Sequence, residues 1–175
     1  MRLVLAVLAA LLLLPSAAHA HTLGYDSIGR DNQLVIEDAT RYDTALRQAI
    51  EGWERVRAEV GYGPTVRLAE PLEVPDAIAI DDRALCGTGY GGVYTVVEGA
   101  PDLISLNACM AKRKDGEWRQ MVFSHEIGHS LGFAHPERTR WYRKNSVMHP
   151  YALRWRPGIH DREDWSEMFA AQTGI

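Results

Sequence analysis

The sequence predicts an α+β domain, and three observations carry that prediction. Apolar residues recur at helical spacing between residues 41 and 60, short β-prone runs broken by glycine and proline follow to residue 107, and a second helical segment leads to a long loop and an Asp-containing final helix. The expected order is strand, helix, several strands, helix, long loop, helix.

Met1 to Ala20 stand apart from that pattern. Cationic Arg2, the apolar run Leu3 to Leu14, Pro15 and small residues at Ala18 and Ala20 have the layout of a secretory signal cut after Ala20. Twelve apolar residues are too few to span a bilayer, and no later stretch is long and apolar enough. The expectation is a signal peptide at 1–20 and a single domain at 21–175, secreted or periplasmic, monomeric and off the membrane. Loss of Arg2 takes the formal charge from −4 to −5, which argues against nucleic acid as partner because phosphate binding needs a basic face.

The first helix is expected from about Arg41 to Val60, with Thr40 and Asp43 as a capping box. Ala45, Ala49, Ile50, Trp53, Val56 and Val60 form its apolar stripe, so Trp53 reads as core packed against a sheet. Gly61, Gly63 and Pro64 end the helix. Thr65–Leu68 and Ala77–Ile80 follow as strands separated by Pro71 and Pro75, and Gly92–Val97 and Leu103–Asn107 are the last two. The glycine-rich segment Cys86–Gly92 is not a phosphate cradle, because no Gly-Lys-Ser/Thr follows it and no helix opens after it. Cys86 and Cys109 both fall in the exported part, where an oxidising compartment favours a disulfide worth roughly 3 kcal/mol.

The chemistry concentrates at His125-Glu126-Ile127-Gly128-His129-Ser130-Leu131-Gly132-Phe133-Ala134-His135. On a helix His125 and His129 project from one face and can take two corners of a tetrahedral zinc site. Glu126 is placed to take a proton from a water on the metal. A continued helix would carry His135 away, but Gly132 tolerates the left-handed conformation that reverses the chain, and Pro136 blocks further helix. The competing reading is a surface helix that happens to carry histidines.

The pattern His-Glu-x-x-His-x-x-Gly-x-x-His resembles the metzincin clan of zinc endopeptidases at every specified position. Met148, thirteen residues after His135 in Ser-Val-Met-His-Pro-Tyr, resembles the methionine turn of that clan, and Pro150 two residues later resembles the matrixin type. The resemblance implies a twisted mixed sheet of about five strands, an N-terminal helix, the zinc-ligand helix, the methionine turn and a final helix near Asp161 and Asp164. It implies one catalytic zinc on His125, His129 and His135, Glu126 as general base, and a protein or peptide substrate held along the fourth strand, placed near Val93–Val97. Tyr151 and Arg154 fall where such enzymes wall the substrate pocket.

This chain departs from the matrixin pattern in its longer segment between His135 and Met148. It also lacks the His-Gly-Asp loop of a second structural zinc and a dense carboxylate loop for calcium; calcium is possible but not indicated. No cysteine precedes the domain to mask the zinc. The basic and aromatic run Glu137–Lys144 reads as a solvated insertion. Two alternatives stand beside the peptidase: a secreted zinc-containing binding or structural domain without turnover, and a copper site built on His21 as N-terminal residue.

Overall fold

In a computed structural model, which describes residues 21–29, 31–152 and 154–170, five strands form one mixed sheet. The leader expected at 1–20 lies outside the described residues. The strands are β1 (Gln33–Ala39), β2 (Thr65–Leu68), β3 (Ala77–Asp82), β4 (Gly92–Thr95) and β5 (Asp102–Asn107), in the spatial order β2-β1-β3-β5-β4. The first four in that order run parallel, and β4 pairs antiparallel with β5 at the edge. β4 is shorter than expected because the amide of Val97 leaves the ladder and donates to the Asp102 carboxylate at 2.7 Å.

Five helices complete the described fold: α1 (Asp43–Val60), α2 (Ala108–Ala111), α3 (Gly116–Ser130), α4 (Arg140–Asn145) and α5 (Ile159–Phe169). None is long and apolar enough to cross a membrane. Helix α1 packs chiefly on α3, and α3 lies against β4 and β5, so the helix with the histidines rests on the edge of the sheet. Helix α1 begins two residues later than expected, at Asp43. Thr40 does not cap it, because its hydroxyl donates to Asp38 at 2.8 Å and accepts from the Tyr42 amide in a turn of its own.

The stripe on α1 is buried as expected except at Val60, which is only partly covered, and Leu46 joins it. Trp53 is fully buried, as expected of a core residue. Its ring stacks on Phe133 at 5.3 Å and on Trp165 at 5.9 Å, and its indole N–H donates to the Ser124 carbonyl of α3 at 2.9 Å. This aromatic stack joins α1, α3 and α5 through side chains that are distant in sequence. Its geometry satisfies the one polar atom of the buried indole.

The expected disulfide between Cys86 and Cys109 is formed, with Cα atoms 5.4 Å apart. Asn107 prepares it: its side chain caps α2 by accepting from the amides of Cys109 and Met110 and donates to the Leu85 and Tyr90 carbonyls. The glycine-rich loop is thereby pinned to the end of β5. The segment after His135 is not all loop, since Thr139 caps the short helix α4, whose Tyr142 ring lies 4.4 Å from that of His160. The solvated reading holds for Trp141, half exposed, but Tyr142 is partly covered by this contact.

Candidate metal centre

Helix α3 starts where Asp115 accepts from the Trp118 amide, and it buries Val122, Phe123 and Ile127 in the core. That burial turns His125 and His129 together toward the opposite side. The helix ends in a double turn: the Gly132 amide donates to His129 and the Phe133 amide to Gly128, with Gly132 at φ +94°. The reversal expected at Gly132 is therefore present. It returns His135 to the other two imidazoles.

The three Nε2 atoms face one another at 2.9 Å (His125 to His135), 3.2 Å (His125 to His129) and 3.1 Å (His129 to His135). Nδ1 of His125 donates to the Val147 carbonyl at 2.7 Å and Nδ1 of His129 to the Phe133 carbonyl at 2.8 Å. Carbonyls only accept, so both protons sit on Nδ1 and the Nε2 lone pairs point into a shared space. Lone pairs so arranged repel unless a cation lies between them. The separations suit donors at about 2.0–2.1 Å from one ion, so these residues can hold a metal.

The electrostatics agree with ligation. Burial, reinforced by the neighbouring imidazoles, pushes His125 down to about 3 and His135 down to about 4, and burial lowers His129 as well. All three are therefore neutral, the form that binds metal, across the physiological range. Glu126 is 5 % exposed, and burial pushes its carboxyl up to about 8 in the metal-free chain, opposed by a hydrogen bond from the Tyr94 backbone.

Glu126 touches the edge strand directly. A Cβ built on Gly92 of β4 would meet Glu126 Oε1 at 2.8 Å and Val122 at 2.6 Å, so only glycine lets the strand approach the carboxylate this closely. Gly128 plays the matching part on the other side. Any Cβ there would collide with the Met148 sulfur, and the Trp53 ring lies at 2.9 Å. Met148 is buried, with its sulfur against the helix at Gly128, between His125 and His129 in sequence.

Asp161 of α5 holds the turn that carries Met148. Its carboxylate accepts from the Ser146 hydroxyl at 2.5 Å, the Val147 amide at 2.8 Å and the Gly158 amide at 2.6 Å. Since Val147 in turn accepts from His125, the chain of contacts from Asp161 ends at a ligand. Tyr151 and Arg154, expected near a substrate pocket, follow this turn. The Tyr151 ring is exposed, whereas Arg154 donates to the Lys144 carbonyl at 3.2 Å and ties the segment back to α4. Two surface hollows around Arg41 and Tyr42 share no residue with the histidine cluster.

Sequence reasoning named His21 only as a copper ligand; it passed over Gly92, Asp161 as an anchor, and the grouping of His21 with His160 and Asp164. Only Gly92 carried a local signal, as the last glycine before a strand. Comparison of the chain with models of known protein families and with curated proteins gives no match.

Proposed function

We propose that the chain is a zinc-dependent endopeptidase of the metzincin type, with a matrixin-like catalytic domain that is secreted or periplasmic once its leader is removed. The observation that carries this reading is the convergence of three Nε2 atoms beside a buried Glu126 that lies against an edge strand. A zinc ion held by His125, His129 and His135 supplies Lewis-acid polarisation of a carbonyl and a water acidified toward a pKa of about 7.

The protein groups do the rest. Val147 and Phe133 fix the two helix imidazoles in the ligating tautomer. Glu126 takes the proton of the attacking water on a carboxylate oxygen and delivers it to the leaving nitrogen, acting as base and then as acid. A carboxyl whose affinity for protons is raised by burial suits both halves of that transfer. Among the described residues β4 pairs only with β5, which leaves its other edge to bind an extended peptide through main-chain hydrogen bonds. Tyr151 walls the pocket with its exposed ring, and Arg154 holds that wall in place.

The test is zinc content of the purified chain together with casein and gelatin digestion, with and without a chelator, for the wild type and Glu126→Ala. Zinc in both proteins and chelator-sensitive cleavage in the wild type alone is the expected result. Zinc in both with no cleavage by either would favour a binding or structural domain.

A further inference from the structure

On the far side of the Gly132 turn, His21 Nδ1, His160 Nε2 and Asp164 Oδ2 meet at 3.3 Å (His21 to His160), 3.2 Å (His160 to Asp164) and 3.5 Å (His21 to Asp164). We propose that these three side chains form a second, structural zinc site that clamps the N-terminal segment to α5. It uses none of the residues of the first cluster, and the proposal does not depend on peptidase activity.

Three features favour an ion over a hydrogen-bonded relay. Asp164 Oδ2 is buried and within ion-pair distance of both imidazoles, yet it has no hydrogen-bond partner, an arrangement that a cation between the three donors resolves. No lysine or arginine among the described residues forms an ion pair with Asp164. The other ring nitrogen of His160 faces Glu163 at 3.5 Å, the carboxylate support that commonly orients a ligating histidine.

Zinc is the fitting ion on geometry. Donors at about 2.0–2.1 Å on a tetrahedron lie about 3.3 Å apart, whereas neighbouring corners of a square plane lie about 2.9 Å apart. The separations of 3.2–3.5 Å lie nearer the first, and two imidazoles with a carboxylate are a common zinc donor set. The site is also largely enclosed, as structural zinc sites are, although the His21 side chain keeps 27 % exposure. His160 and Asp164 are 6 % and 3 % exposed, and the rings of Trp141 and Tyr142 cover His160 at 5.7 and 4.4 Å. The fourth corner falls to water.

The site also has something to hold. The His21 carbonyl accepts from the Ala134 amide at 2.6 Å and the Leu23 amide donates to Gly132 at 2.7 Å, so the clamped segment lines the loop that presents His135. An ion here therefore positions the third ligand of the first cluster from behind.

The experiment is equilibrium dialysis of the chelator-stripped protein against zinc, with metal counted per chain. The wild type is expected to bind two equivalents and His125→Ala/His129→Ala to keep one; adding His160→Ala to that pair should remove it. Asp164→Asn, which preserves shape, in the same background should weaken the remaining site by more than about a hundredfold, beyond the effect of disturbing a ligand's outer support. Amide exchange at Leu23 should slow on zinc addition in the double variant. Failure of the double variant to bind zinc overturns the proposal, as does a retained ion indifferent to Asp164→Asn; the latter reading stands even if the His160 variant does not fold.

Discussion

The two histidine clusters differ in how the chain assembles them. His125, His129 and His135 lie within one helix and its terminal turn, and His135 is exposed. His21 and His160 are 139 residues apart and meet only because the segment from His21 runs along the turn after α3, which brings the His21 ring to α5. The first is open on one side and has a carboxylate beside it that belongs to no ligand set. The second is more enclosed, with His160 and Asp164 buried and His21 partly covered, and every donor is consumed in the clamp. Openness with a spare base is what chemistry needs, and closure is what a fastening needs.

That contrast can be broken most sharply at Glu126. Glu126→Gln should lower peptide hydrolysis by about 10³-fold or more while zinc stoichiometry is unchanged. Full activity in that variant, measured on casein, would remove the distinction between a reactive and a fastening cluster. Next in size is His135→Ala, expected to weaken zinc at the open cluster by about a hundredfold or more and to leave the clamp untouched. Equal loss at both, followed by zinc titration, would mean that the clusters are not separate.

Gly132→Ala probes what the clusters share. Its φ of +94° and the Tyr25 carbonyl 3.2 Å from the added carbon predict a cost of about 1–2 kcal/mol in urea unfolding, together with weaker zinc binding at the His135 site. An unchanged unfolding midpoint would show that the turn is less constrained than its geometry implies.

The smallest expected effect is on the stability of the metal-free chain against pH. Burial raises Glu126 from 4.5 to about 8, so its contribution is full below pH 4.5 and is lost as pH rises through 8. His125 is lowered from 6.5 to about 3, so its contribution is present above pH 6.5 and is lost as pH falls through 3. Thermal midpoints of the stripped protein should fall toward both ends, and Glu126→Gln should flatten the alkaline side alone. A wild-type profile without that alkaline fall would place the carboxylate in a wetter setting than its burial suggests.

What was legible in the sequence was local. Strand β2 follows from a four-residue apolar alternation between proline and glycine stops, and the turn at Gly132 from the need of one glycine to reverse a helix. The first cluster could be read because helical spacing alone aligns His125 with His129. Contacts between distant residues were not legible. Nothing near Trp53 states that it will stack on Phe133 and Trp165, and nothing near Thr40 states that Asp38 will take its hydroxyl. The pairing of His21 with His160 belongs to the same class. Each depends on which elements become neighbours, which local pattern does not encode.

The bond between His21 and Ala134 also has a mechanical meaning. The first described residue is hydrogen-bonded to the one immediately before His135, and Leu23 and Ser27 are bonded to Gly132 and Ser130 behind it. Tension applied at the front of the chain is thus delivered to the loop that bears the third histidine before it reaches the sheet. Whatever is joined upstream of His21, whether a leader, a tether or a neighbouring surface, holds a lever on the open cluster without approaching it.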